Sequence, residues 1–373
     1  MRAVGGAALG GLLNACRSEP SSTSLIESTT LGTTAATIAE PISTPEPSDT
    51  SSPSPSSSPL SSSSPTSSSP TVGDVPWSGA DFAELDEFLA ATNSEAFSIV
   101  ESGAAVHEWY RTDDTYTRDI ASAQKSVLSL LVGRAIADGI FGTDTLVDDV
   151  LGSGWTSHGQ TSAITVRHLL TMTSGLDDGL ALVSAPGTAW LYSGAFAQLF
   201  AVLGVTTGRD VDDLASEWLF EPARADSAVF YERRTDDVAP IGMRATVKDL
   251  VAIGQLVLGG SQTGLANGWL DESFAPSQPF NGSYGYLWWL NGQETFMLPG
   301  PTPAARPGPL VPTAPVDLVA ALGKADQKLY ISRALDLVVA RLGDKADPES
   351  RPALSTFDAA LWAMLDRLRT GGG

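Results

Sequence analysis

The feature that most limits what this chain can fold into is a long segment rich in Ser, Thr and Pro. Residues 17–75 include the run SSPSPSSSPLSSSSPTSSSPT and contain few large apolar side chains. Such a composition buries too little apolar surface to offset the conformational entropy that is lost on folding. We therefore predict a disordered tether over 17–75 and place the folded domain at 76–373.

The residues before this segment have the pattern of an export signal. Met1-Arg2 precedes an apolar, Gly-rich run from Ala3 to Leu13, and the single cysteine of the chain, Cys16, follows. This order resembles a bacterial lipoprotein signal, in which the cysteine becomes the lipidated first residue of the mature protein. The resemblance implies a signal over 1–16, a lipid anchor to the membrane at Cys16 and a location in the bacterial cell envelope, outside the cytoplasm. A weak signal peptide with an incidental cysteine is the alternative.

Charge and composition exclude several classes of function. The chain holds 22 Lys and Arg against 43 Asp and Glu, a net charge of −21. Because phosphate contacts need a basic face, this balance excludes an ordinary nucleic-acid-binding protein. The sequence has no H-E-x-x-H pair, cysteine cluster or acidic calcium loop, so we expect neither a metal nor another cofactor. A small molecule or a peptide remains as the expected binding partner, and the oligomeric state is left open.

Hydrophobic periodicity from residue 76 onward predicts an α+β fold. An amphipathic helix over 80–92 precedes a hairpin with strands from Phe97 to Val100 and from Ala104 to Tyr110. A buried helix is expected from Ser122 to Asp138, and a short one at 164–170. The later elements are expected as helices at 194–206, 210–219 and 246–258, strands at 285–290, 328–332 and 335–342, and a helix at 355–369. This order differs from the βαβ alternation of a doubly wound fold.

The start of the buried helix carries a pattern that suits nucleophilic catalysis. In Ser122-Ala123-Gln124-Lys125, the spacing of three places the lysine one helical turn from the serine, on the same face. A serine hydroxyl becomes a good nucleophile when a neighbouring group takes its proton, and a lysine does so once burial lowers its pKa. The N-terminus of the helix adds oriented N–H groups that stabilise an oxyanion.

Two further short patterns follow in the chain. Pro186 to Gly194 forms a turn that leads through Tyr192 into a helical pattern, and Ala320 to Gln327 precedes a strand. In isolation, a packed Tyr and a solvated Lys explain these two patterns better than a functional site does.

Together, the three patterns resemble the serine hydrolases of the β-lactamase and penicillin-binding-protein superfamily, in the class C β-lactamase-like branch. That branch includes esterases, D-aminopeptidases, D-Ala-D-Ala carboxypeptidases and 6-aminohexanoate-dimer hydrolases. The resemblance extends over about 80–369 and includes the segments ITVRHLLTMTSGLD, GMRATVKDLVAIGQLVLGG and SYGYLWWLNG. It implies a β-lactamase/transpeptidase-like fold, with an antiparallel sheet flanked by helices and a helical insertion domain between the Ser122 helix and the Tyr192 region.

The same resemblance implies roles for three catalytic residues. Ser122 corresponds to the acylated nucleophile, and Lys125 corresponds to its proton-transfer partner. Tyr192 corresponds to the Tyr of the Y-x-N motif, which shares acid and base work with the lysine. How Lys125 and Tyr192 divide that work stays open.

The third pattern corresponds to the K-T-G or H-x-G motif of the edge strand, and it implies Gly323, Lys324 and Gln327 as substrate-binding residues. Lys324 supplies positive charge to the site in this interpretation. The oxyanion hole consists of the N–H of Ser122 and a second N–H near Gln327, which the spacing does not identify. We also expect Trp288 to form part of an apolar substrate wall, with a core tryptophan pair as the alternative.

Two departures from the family pattern bear on the substrate. Gly194 stands where the Asn of Y-x-N is found, and the third motif is not K-T-G. Both disfavour true β-lactamase activity and are compatible with esterases and amide hydrolases. The Pro-rich stretch from Leu298 to Pro315 is a candidate lid over the cleft, with an idle surface loop as the alternative.

Other catalytic schemes fit the sequence less well. No serine lies in the G-x-S-x-G pattern of an α/β-hydrolase. A Ser-His-Asp enzyme needs a catalytic histidine, and His107, His158 and His168 lie in a strand, a polar loop and a helix pattern, respectively. The remaining alternative is a penicillin-recognising fold that has lost hydrolysis and acts as a surface binding lipoprotein.

Overall fold

The computed structural model describes residues 76–156, 163–233, 240–260, 264–300, 303–347 and 355–371. The predicted signal with Cys16, the whole of the predicted tether and His158 lie outside the described residues. Within those residues, no helix is both long enough and apolar enough to cross a membrane.

Eleven strands are present in the described parts of the chain. Their bounds are Ser94–Glu101 (β1), Ala104–Tyr110 (β2), Arg118–Asp119 (β3), Val229–Glu232 (β4), Ile241–Ala245 (β5), Trp289–Leu290 (β6), Thr295–Met297 (β7), Ala305–Pro307 (β8), Val319–Gly323 (β9), Gln327–Ser332 (β10) and Leu337–Gly343 (β11). Six of them form one antiparallel sheet in the order β2-β1-β11-β10-β9-β6. Three more, in the order β3-β5-β4, form a second sheet, and β7 pairs with β8.

Ten α-helices accompany these strands in the same residues. Their bounds are Ala83–Ala91 (α1), Gln124–Ala137 (α2), Val147–Leu151 (α3), Val166–Leu170 (α4), Gln198–Thr207 (α5), Val211–Ala215 (α6), Glu221–Ala223 (α7), Val247–Leu258 (α8), Trp269–Ser273 (α9) and Thr356–Thr370 (α10). The expected helices and the first hairpin are therefore found within a few residues of their expected positions.

Helices cover both faces of the large sheet. Gly254 of α8 lies against Val338 and Leu329 on one face. Tyr330, the next residue after Leu329, points to the other face, where its ring meets Trp362 of α10 edge-on. Because both faces are covered, β9, β10 and β11 consist entirely of buried residues and have no alternation of polar and apolar side chains.

Helix α2 passes through the interior and begins two residues after the predicted nucleophile, Ser122. Its 14 residues include no acidic side chain and only two basic ones, and eleven of them are buried. A single 3₁₀ turn, Ala121–Ala123, leads into it. The helix packs against β9 and α5, so its first turn lies between the edge of the sheet and the helical region.

The small three-stranded sheet was not expected from the sequence. Strand β3 has two residues and pairs Arg118 with Ala245 and Asp119 with Arg244. The expected strand at 285–290 is also shorter than predicted, because only Trp289 and Leu290 enter the sheet. Two short helices, α3 and α4, lie between α2 and Tyr192, and most of the remaining helical residues follow Tyr192 in the chain.

Candidate active site

The nucleophile candidate lies on a tightly held turn. Ala121, just before Ser122, has a left-handed backbone with a φ of 50°. Its N–H donates to Asp119 Oδ1 at 2.6 Å. On the other side, the end of β9 approaches so closely that a Cβ on Gly323 would lie 2.1 Å from the carbonyl oxygen of Ile120. Only glycine permits this approach, which brings the β9–β10 hairpin against the turn.

The structure brings the predicted serine and lysine into direct contact. Lys125 Nζ lies 2.8 Å from Ser122 Oγ, as the spacing of three on a helical turn predicts. Lys125 is only 5% exposed. Its ammonium lies 4.1 Å from the ring centroid of Phe196 and 4.7 Å from that of Tyr192.

Burial makes Lys125 an unusual amine. Its pKa is lowered from 10.5 to about 7, first by burial and then by the positive charge of Arg233, while the carboxylate of Asp178 acts in the opposite direction. A large fraction of the amine is therefore neutral near pH 7. A neutral amine within hydrogen-bond distance of Ser122 is placed to accept the hydroxyl proton.

Tyr192 completes the polar group around Ser122. Burial raises the pKa of Tyr192 to about 12, although a hydrogen bond with the Ser122 side chain lowers it in part. The phenol therefore keeps its proton at neutral pH and has a proton to donate. The Trp289 ring stacks on Tyr192 at 5.9 Å between centroids.

These groups lie in a solvent-open cavity of about 1120 Å³. Ser122, Lys125 and Tyr192 line the cavity. The apolar residues that line it with them include Leu191, Val183, Phe196 and Pro299. A cavity with an apolar wall and a few convergent polar groups is the usual form of a small-molecule site.

The family of the chain follows from comparison with known proteins. The family model described as Beta-lactamase matches residues 87–361, which is well over half of the chain. The chain belongs to the β-lactamase family. The family resemblance read from the three motifs is thereby confirmed. Comparison with curated proteins finds no match.

Solved structures with the same fold include several β-lactamase-like proteins. A putative β-lactamase from Bacteroides dorei is 15% identical with a TM-score of 0.62, covering 78% of this chain and 99% of that one. A putative 6-aminohexanoate-dimer hydrolase from Bacillus anthracis is 16% identical with a TM-score of 0.59, covering 76% and 80%. EstCE1, described as a hydrolase with promiscuous acyltransferase activity, is 14% identical with a TM-score of 0.57, covering 77% and 100%. The predicted β-lactamase/transpeptidase-like fold is confirmed.

Among the four residues expected to bind substrate in this β-lactamase-family protein, only Lys324 lines the cavity. Gly323 instead packs against Ile120. The Gln327 side chain points inward, donates to the carbonyl oxygens of Ala325 and Gly343 at 2.7 Å each, and accepts from the N–H of Gly343 at 3.2 Å. Gln327 therefore holds the hairpin and does not face the cavity.

Trp288 is not part of the cavity wall, contrary to expectation. Its side chain is fully buried and meets the ring of Phe274 edge-on at 5.2 Å between centroids. The neighbouring Trp289 is the tryptophan that contacts Tyr192. Successive residues of an extended chain point to opposite sides, so the pair WW in the sequence does not show which ring faces the site.

Gly194, which stands where family members have an asparagine, is fixed through its backbone. The N–H of Gly194 donates to Asp178 Oδ1 at 2.8 Å. Asp177 and Asp178 both line the cavity, although neither was predicted as a site residue. Their only signal is their place directly after TSGL in a family-like segment.

Among the described residues of the predicted lid, only those at its start border the cavity. Pro299 and Gly300 line it. Farther along, Asn291 accepts from the N–H of Val311 at 2.8 Å and donates to the carbonyl oxygen of Pro315 at 2.9 Å, so this end of the stretch is fixed to the sheet.

Two of the three histidines have structural contacts. His107 stacks on Phe82, with its Nε2 2.7 Å from an Asp86 carboxylate oxygen, and His168 caps α4 through Thr165. Within the described parts of the chain, no group of three or more His, Cys, Asp or Glu side chains is arranged to hold a metal ion.

Proposed function

We propose that this protein is a serine hydrolase that cleaves an ester or an amide through an acyl-Ser122 intermediate. The observation that carries the proposal is the 2.8 Å contact between Ser122 Oγ and a buried Lys125 amine whose pKa is lowered to about 7. The family match and the hydrolases among the structural neighbours support the same class of reaction.

In the acylation step, neutral Lys125 takes the hydroxyl proton while Ser122 Oγ bonds to the carbonyl carbon of the substrate. The carbonyl electron pair moves to its oxygen, and the N–H of Ser122 at the start of the helical turn stabilises the negative charge. The oxyanion then collapses, and the bond from carbon to the leaving oxygen or nitrogen breaks. The leaving group departs with a proton.

We assign the delivery of that proton to Tyr192. Its phenol is protonated at neutral pH, whereas Lys125 becomes an ammonium when it accepts the serine proton. Tyr192 gives its proton to the leaving group and is reprotonated from the Lys125 ammonium. In deacylation, water attacks the acyl carbon and its proton passes to Lys125. The bond from the acyl carbon to Ser122 Oγ then breaks, the Lys125 ammonium returns the proton to Oγ, and the carboxylic acid leaves.

The proposal is tested by one assay on the protein and its Ser122→Ala variant. Both are incubated with a fluorophosphonate probe, a short-chain p-nitrophenyl ester and a chromogenic cephalosporin. We expect labelling and ester turnover in the protein and neither in the variant. Cephalosporin turnover would extend the substrate class to β-lactams, despite Gly194. If the unmodified protein shows neither labelling nor turnover, the hydrolase is refuted and the non-catalytic binding protein is favoured.

A further inference from the structure

Outside the family motifs, a cluster of polar side chains borders the cavity next to the nucleophile turn. Arg233 donates from Nη2 to Asp119 Oδ1 at 2.8 Å and from Nε to Asp119 Oδ2 at 2.9 Å. The hydroxyl of Tyr231 donates to the same carboxylate. A bidentate pair of this kind fixes both the position and the orientation of the two groups.

The small sheet is built around this cluster. Strand β5 places Gly242 beside it, paired with Tyr231. A Cβ at position 242 would lie 2.8 Å from Arg233 Nε, 2.9 Å from Tyr231 Cζ and 3.0 Å from Asp119 Oδ2. The three side chains therefore occupy the space that a side chain at position 242 would need.

Asp119 connects the cluster to the nucleophile. The same Oδ1 that accepts from Arg233 also accepts from the N–H of Ala121 at 2.6 Å. Ala121 has a left-handed backbone, a conformation that is unfavourable for a residue with a Cβ. A charge-assisted hydrogen bond offsets that cost and keeps the turn in the conformation that presents Ser122 to the cavity.

We propose that Asp119, Tyr231 and Arg233 act together as a positioning cluster for the nucleophile and its base. Asp119 fixes the backbone turn that presents Ser122. Arg233, held by that carboxylate, keeps a permanent positive charge in the cavity that Lys125 also lines. The proposal rests on the proposed function, because positioning matters only if Ser122 is acylated.

The electrostatics of Lys125 support this assignment. Its amine contacts Ser122 and the ring of Tyr192, and the charged groups that act on it are Arg233 and Asp178. The positive charge of Arg233 is the second cause, after burial, of the lowered pKa of Lys125. Burial works to raise the pKa of Asp119, but hydrogen bonds from Arg233 and its neighbours outweigh it and keep that carboxylate ionised.

The first test follows the rate of labelling of the full chain by a fluorophosphonate probe between pH 5.5 and 9.5. For Arg233→Gln we expect the midpoint of the acid limb to rise by about one pH unit, the usual size of such a charge effect. Labelling at pH 7 then falls about fivefold and recovers above pH 9. Arg233→Lys keeps the charge, and its midpoint should stay near that of the unmodified protein. The matched control is Arg333→Gln, which removes a surface cation paired with Asp271 away from the cavity.

The second test separates the turn from the charge. Asp119→Ala removes the acceptor of the Ala121 N–H, and we expect the pH-independent rate of labelling to fall about tenfold. Asp119→Asn retains an acceptor oxygen and should keep most of that rate. Thermal unfolding of each variant shows which of them are folded. If Asp119→Ala does not fold, the two Arg233 variants still decide the role of the charge.

The outcomes separate this proposal from the proposed function. An unmodified protein that the probe does not label refutes the hydrolase itself. A labelled protein whose Arg233→Gln midpoint equals that of Arg333→Gln overturns the positioning role of the cation. Equal plateau rates for Asp119→Ala and the unmodified protein overturn the positioning role of the carboxylate.

Discussion

A buried lysine that must be neutral to act should lower the free energy of unfolding of the protein. Lys125 is 5% exposed and has no carboxylate in contact among the described residues, only a serine hydroxyl and two aromatic rings. Met has a similar length, no charge and suits such surroundings. We predict that Lys125→Met stabilises the protein while it abolishes labelling of Ser122.

The magnitude follows from the pKa of Lys125, which is about 7 when folded against 10.5 as the reference value. Between these two pH values the unfolded chain binds one more proton than the folded one, so stability rises with pH by up to about 1.4 kcal/mol per unit. Below pH 7 both states hold the proton, and the full penalty of about 5 kcal/mol is present. At pH 9 about 2 kcal/mol of it remains.

The variant also loses the hydrogen bond to Ser122, which contributes about 1 kcal/mol. We therefore expect Lys125→Met to be more stable by about 3–4 kcal/mol at pH 6 and by about 1 kcal/mol at pH 9. The measurement is urea unfolding of both proteins at pH 6, 7.5 and 9, with Ser122→Ala as the control that loses the same hydrogen bond but keeps the amine.

A second buried lysine provides the opposite case. Lys328 is 1% exposed and lies 3.2 Å from Asp326 Oδ1 and 3.1 Å from Asp358 Oδ1. Because Lys328→Met leaves two buried carboxylates without their cation, it should destabilise the protein by about 3–5 kcal/mol. A Lys125→Met variant that is less stable than the unmodified protein at pH 6, or a stability difference that does not change with pH, would refute the reasoning.

Three further predictions concern activity, the hairpin and the anchor. The acid limb of kcat/KM for ester hydrolysis should have its midpoint near pH 7, because Lys125 must be neutral to act. Lys125→Ala should remove most of the turnover at every pH, and near-normal turnover in this variant would exclude Lys125 from the mechanism. Gln327→Ala should lower the free energy of unfolding by about 2 kcal/mol, because it leaves the backbone groups of Gly343 without the Gln327 side chain as a partner. It should also weaken substrate binding, measured as a raised KM. An unchanged melting temperature would contradict this prediction. Cys16→Ser should move the expressed protein from the membrane fraction to the soluble fraction, and continued membrane retention would argue against the lipid anchor.

Elements defined by local periodicity were predictable from the sequence. The buried helix α2, the first hairpin and α10 each follow from apolar spacing within a short window. The sheet of β3, β4 and β5 was not predictable, because β3 is two residues long and finds its partner more than a hundred residues away. Such pairing leaves no periodic signal in the sequence.

The same distinction applies to the site. Sequence spacing determined that Ser122 and Lys125 share a helical turn, and the three motifs in order determined the family. Tertiary structure decided the chemistry of those side chains, because burial and Arg233 set the pKa of Lys125, and Arg233 reaches the site from the end of β4, more than a hundred residues along the chain. A pKa depends on desolvation and on nearby charges, and both depend on which distant segments pack together, whereas the spacing of a motif is local.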